Sequence, residues 1–213
     1  MNKNQMYTIL AGLFIGSLLI SNVLAFKLIA VGNFTLPAAV IVFPIVYIVN
    51  DVLAEIYGFK NARRVILLGF AVNLMAVIMY NIAIVLNSPV WFVGSEEFAL
   101  VLSSTFRILI ASFIAYLIGT TMNSYVMVKM KGSKKTGNGL LQRAMVSTFI
   151  GETIDAFIFI TIAFIGVMPL KDLFIMILAQ AIFKSLYELL AYPVTKVVVA
   201  KIDELPIGGT VIT

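Results

Sequence analysis

Apolar residues in this chain come in long, nearly unbroken runs, separated by short polar stretches. Several runs reach the roughly 20 residues that a helix needs to cross the hydrocarbon core of a bilayer. The pattern predicts six membrane spans, at 8–30, 36–57, 63–86, 103–128, 143–166 and 171–200. Segments of about ten alternating residues, as in an outer-membrane barrel, are not seen. The expected fold is therefore all-α, one transmembrane domain over 1–213 built as a bundle of six helices. The first apolar run, Thr8 to Leu24, is longer than the roughly 7–15 residues of a signal-peptide core. It reads as a retained span. Spans one to three and four to six would run in opposite senses, as a 3+3 inverted repeat requires, although internal sequence similarity is weak.

Composition agrees with this reading. Of 213 residues, 62% are hydrophobic and 12% charged, with a mean hydropathy of +1.07. A soluble domain has roughly 45–50% apolar and about 25% charged residues. Cysteine and histidine are both absent. That excludes disulfides, thiol chemistry, Cys/His metal sites and a histidine proton relay. No catalytic residue, metal site or cofactor is expected.

The net charge of +5 does not point to nucleic acid, because much of the excess lies in two loops between spans. Lys60, Arg63 and Arg64 follow span two. Lys129, Lys131, Lys134, Lys135 and Arg143 follow span four. The loop after span three has Glu96 and Glu97 and no basic residue, and the loop after span five has only Lys171. Basic loops remain in the cytoplasm, so both termini are expected there, in an inner-membrane protein. The stretch 131–139 reads as a Gly-rich basic linker and not as a phosphate loop, since no strand precedes it. Trp91 and Phe92 read as interfacial anchors. No ATP-binding motif is visible.

The charges inside the spans carry the chemistry: Lys27, Asp51, Glu55, Arg107, Glu152, Asp155, Lys184 and Glu188. Each costs about 2.5–3.5 kcal/mol at a helix centre, so the set must pair, reach an interface or line a wet cavity. Asp51 and Glu55 are four residues apart and share a helix face with Tyr47. Glu152 and Asp155 are three apart. Lys184 and Glu188 are four apart, with Tyr187 beside them. Three helices thus present polar, acidic stripes that can converge on one cavity. Simpler readings stand beside this one. Lys27, Glu55 and Arg107 could reach the interface, and Lys184 and Glu188 could form an intrahelical pair. Asn22, Asn73 and Asn123 could join helices by hydrogen bonds. Phe43, Phe157 and Phe159 could simply pack. The candidate substrate-binding set is Asn22, Tyr47, Asp51, Glu55, Arg107, Asn123, Glu152, Asp155, Lys184, Tyr187 and Glu188. With five carboxylates against three cations, the expected ligand is cationic or rich in donors. A carboxylate only accepts, and can take two donors side by side, which suits a purine-like small molecule.

Four stretches resemble the queuosine precursor transporters of the vitamin-uptake-transporter-like family. They are Phe43-Pro-Ile-Val-Tyr-Ile-Val-Asn-Asp-Val-Leu-Ala-Glu-Ile-Tyr-Gly58, Arg107-Ile-Leu-Ile-Ala-Ser112, Gly151-Glu-Thr-Ile-Asp-Ala-Phe-Ile-Phe159, and the Lys184, Tyr187-Glu188, Pro193 element. The resemblance implies a six-helix inner-membrane importer of 7-deazaguanines such as preQ0, preQ1 or queuine. It implies binding roles for Asp51, Glu55, Arg107, Asp155, Lys184 and Glu188. The chain departs from the family pattern at Glu152, where glutamine is common, and near Asn123, where an acid is common. A carboxylate at Glu152 would suit the cationic aminomethyl group of preQ1. Alternating access is the expected mechanism. The alternative is a substrate-binding subunit that relies on a separate ATP-driven module. A homodimer is the default assembly. An intramembrane enzyme is disfavoured, because no nucleophile–base pair or paired-aspartate motif is present.

Overall fold

The computed structural model describes residues 1–131 and 140–206. The basic linker at 132–139 lies outside the described residues. Helix α1 (Lys3–Leu24) begins with a capping box: the Asn2 side chain accepts from the Gln5 amide at 2.9 Å, and the Gln5 side chain accepts from the Asn2 amide at 3.0 Å. These contacts satisfy two of the amides that a helix start leaves open.

The first predicted span runs six residues too far. After α1 the chain forms a small antiparallel hairpin, β1 (Leu28–Val31) with β2 (Phe34–Pro37), in which Val31 pairs with Phe34 and Leu28 with Pro37. The fold is all-helical, as expected, apart from this one small hairpin. The physical cause is the two-residue Gly32-Asn33 turn: Gly32 has φ +60°, a conformation open to glycine, and the strand-favouring Val31 and Phe34 flank it. Lys27 sits exposed in the turn before β1, outside any helix. A 3₁₀ turn (Ala38–Ile41) leads into α2 (Phe43–Val85).

Helix α2 has 43 residues, or about 65 Å if it were straight, twice the thickness of a bilayer core. It is not straight. Gly58, with φ +78° and ψ 157°, breaks the helical backbone and divides α2 into arms 43–57 and 59–85. The predicted third span corresponds to the second arm, whereas the predicted second span, 36–57, begins too early, over the end of β2 and the 3₁₀ turn, before the first arm starts at Phe43. A short helix α3 (Ser95–Leu102) then precedes α4 (Thr105–Lys131), α5 (Leu140–Phe164) and α6 (Leu170–Asp203). Among the described residues, five helices are long and apolar enough to cross a membrane, with α2 counted once. Their outward faces are apolar, as at Leu68, Phe157 and Leu190.

One end of the bundle gathers the start of α1, the Gly58 bend and the end of α6. Lys3 pairs with Asp203 at 2.7 Å, and the Tyr57 hydroxyl donates to the Lys3 carbonyl at 2.8 Å. The hairpin and the α5–α6 turn lie at the other end. In lipid, helices associate by close packing and polar contacts, because the tails are as apolar as the side chains. The α4–α5 seam shows this. A Cβ on Gly119 would stand 2.9 Å from Asp155 Cβ, and one on Gly151 would stand 2.8 Å from Asn123 Cβ. Only glycine lets the two backbones come this close.

Candidate functional site

Between α1, α2, α4, α5 and α6 lies a cavity of about 230 Å³. Its walls carry four carboxylates, Asp51, Glu152, Asp155 and Glu188, and one ammonium, Lys184. Tyr47, Asn50, Asn123, Tyr116 and Gln180 add neutral polar groups, and Phe43, Phe70 and Phe159 add aromatic surface. A few convergent polar groups in a largely apolar, concave setting are the usual form of a small-molecule site.

Helical spacing delivers these groups. Asp51 lies one turn beyond Tyr47 on the first arm of α2. Asp155 lies one turn beyond Glu152 on α5, and Glu188 lies one turn beyond Lys184 on α6. Lys184, 7% exposed, links the stripes. Its Nζ donates to Asp155 and lies 3.4 Å from Glu152 Oε2. The same Glu152 oxygen accepts from the Tyr47 hydroxyl at 3.3 Å. Nζ also stands 5.2 Å from the centre of the Phe43 ring, a cation–π distance. One ammonium thus joins α2, α5 and α6. Glu188 accepts from the Thr148 hydroxyl at 3.1 Å. Asp51 has no ion pair or hydrogen-bond partner among the described residues. Lys184 can balance only one of the four acids, so the ionised cavity carries an acidic excess.

Eight of the eleven residues singled out from the sequence line this cavity: Asn22, Tyr47, Asp51, Asn123, Glu152, Asp155, Lys184 and Glu188. Asn22 also ties α1 to α2, donating at 2.8 Å to Asn73, which donates in turn to the Gly69 carbonyl at 3.0 Å. The other three stand elsewhere. Glu55 is exposed, one turn from Asp51 toward the Gly58 bend. Tyr187 packs on Phe183 and a small apolar cluster beside β2. Arg107 reaches across to the end of α5, donating to the Ile162 carbonyl at 2.5 Å and the Ile165 carbonyl at 2.6 Å. It closes carbonyls that a helix end leaves open and places a cation at the negative end of the helix dipole.

The structure adds residues that charge counting passes over. Gln180 is fully buried, lines the cavity, and has no partner for either amide atom. The Asn50 side-chain oxygen is likewise buried without a partner. Both carry no charge, and intramembrane amides ordinarily read as interhelical links. Their position one turn from Lys184 and next to Asp51, respectively, was the available clue.

The fold and the cavity define a multi-pass membrane protein with a polar chamber at the centre of its bundle. Residues 37–198 match the family model described as "Putative vitamin uptake transporter", and the chain belongs to that family. It is a family of transporters, not of enzymes. The chain is 32% identical over 122 residues to a "Probable queuosine precursor transporter" of Haemophilus influenzae, covering 57% of this chain and 49% of that protein. It is 25% identical over 153 residues to a protein of the same description from Bacillus subtilis, covering 70% of this chain and 65% of that one. The chain thus spans about half of one relative's length and just under two thirds of the other's. No solved structure matches.

Proposed function

We propose that this protein imports queuosine precursors, 7-deazaguanine bases such as preQ0, preQ1 or queuine, across the cell inner membrane by alternating access. The observation that carries the reading is the acidic cavity, found in a chain whose relatives bear the name of queuosine precursor transporters. A deazaguanine presents an exocyclic amino group with two N–H donors, and a carboxylate only accepts. Asp51, without a partner of its own, is suited to that amino group. Glu152 and Asp155 hold further donors, and Lys184 and Glu188 complete the polar ring. The acidic excess also favours a cationic substituent, such as the aminomethyl group of preQ1. Phe43, Phe159 and Tyr47 offer ring faces for a flat base.

On this reading the two arms of α2 each cross the membrane, which brings the crossings to six. The end of the bundle that holds Lys3, the Gly58 bend, Lys60, Arg63 and Arg64 faces the cytoplasm, following the distribution of basic residues. The decisive experiment is expression in a strain that lacks its own importer and cannot make the base, supplied with each precursor in turn. Queuosine should return to the tRNA. Failure to restore it with any of the three bases overturns the reading. Uptake into liposomes by the purified chain should need no ATP-driven module.

A further inference from the structure

Among the described residues, Gln180 is the one fully buried cavity side chain whose hydrogen-bonding atoms both lack a partner. It is 0% exposed, and neither Oε1 nor Nε2 meets a protein partner. Burying an amide without partners costs its hydration, so a buried amide with no partner asks for a reason. Its position supplies one. The Lys184–Asp155 pair fixes the register of α6 against the antiparallel α5. Gln180 lies one turn from Lys184, toward the start of α6. Phe159 lies one turn from Asp155, toward the end of α5. Both displacements run toward the hairpin end of the bundle by about 6 Å, so a planar amide and an aromatic ring occupy one level of the cavity wall.

A primary amide offers a donor and an acceptor side by side. Its complement is a ring lactam, in which a carbonyl and the adjacent N–H lie on one edge. The carboxylates nearby cannot serve that edge, because they only accept and would repel the carbonyl. We infer that Gln180 is the specificity-determining residue for the lactam edge of a flat heterocyclic substrate, with its Nε2 donating to the ring carbonyl and its Oε1 accepting from the ring N–H. This inference rests on the importer reading above and assigns the part of the base that the acids cannot recognise.

The test compares two probes on purified protein: 7-deazaguanine, which has the lactam, and 2-amino-7-deazapurine, which lacks the carbonyl and the ring N–H. Wild type should bind the lactam at least about tenfold more tightly, as expected when buried polar atoms are left unpaired by the wrong ligand. Gln180→Leu should bring that ratio close to one. A purely structural role for Gln180 would weaken both probes together and leave the ratio unchanged. Wild type that binds both bases equally, or a Gln180→Leu variant that keeps the preference, overturns the assignment alone. Wild type that binds neither base overturns the importer reading and this assignment with it.

Discussion

Lys184 holds the cavity together more than any other side chain. It sits between two carboxylates from α5 and against a ring from α2. Removing one partner of a buried ion pair strands the other and costs about 3–5 kcal/mol. Lys184→Met should therefore lower thermal stability in detergent sharply as well as stop transport. Asp155→Asn differs, because Lys184 still faces Glu152. That variant should be expressed and melt close to wild type, while uptake falls to background. Equal destabilisation of the two variants would contradict this ordering. Charge and spacing made most of these residues legible in advance. Asp51, Glu152, Asp155, Lys184 and Glu188 are costly in lipid and recur at helical intervals, so their convergence can be reasoned from the chain. Gln180 could not be ranked that way, because an uncharged amide carries too small a penalty to stand out. Arg107 is the opposite case. Its charge drew it into the candidate set, whereas the structure uses it to close the end of α5.

At the scale of elements, glycine decides where backbones may turn or touch. Gly58 occupies a region of φ and ψ that other residues enter only at a cost of about 1–3 kcal/mol. Gly58→Ala should lower the melting temperature although no neighbouring atom obstructs the new methyl group. Gly151→Ala should destabilise by a different route, by about 1–3 kcal/mol of overpacking against Asn123 and the Gly119 carbonyl. It should also impair uptake, since Asn123 lines the cavity and Glu152 adjoins Gly151. Thermal melts of both variants in detergent check these expectations. The break between the second and third predicted spans was readable from Gly58 and the basic residues after it. The hairpin was not, because Leu28–Val31 is as apolar as the helix before it and merges with it in any count of hydrophobic length. The Gly32-Asn33 pair was the only local sign of a turn.

At the scale of the whole molecule, sidedness can be measured directly. The chain has no cysteine, so single cysteines can be introduced without a background to remove. Lys60→Cys should react with a membrane-impermeant maleimide only after the cells are permeabilised. Val90→Cys, in the exposed segment before α3, should react in intact cells. The reverse pattern would invert the proposed orientation.

The glycine seam between α4 and α5 has a consequence for movement. Two helices whose backbones meet at Gly119 and Gly151 have no side-chain cushion along which to slide. They travel as one plank, carrying Asn123, Glu152 and Asp155 together. Any rearrangement that opens the chamber to one side and then the other has to occur along the opposite wall, where the plank meets α2 and α6. The links there include a tyrosine hydroxyl, a lysine ammonium and a threonine hydroxyl, Tyr47 to Glu152, Lys184 to Asp155 and Thr148 to Glu188. Those are contacts that an arriving solute rich in donors can compete for. In the proposed importer, the atoms that join the plank to α2 and α6 are the ones a solute must loosen, so binding and gating would be a single event.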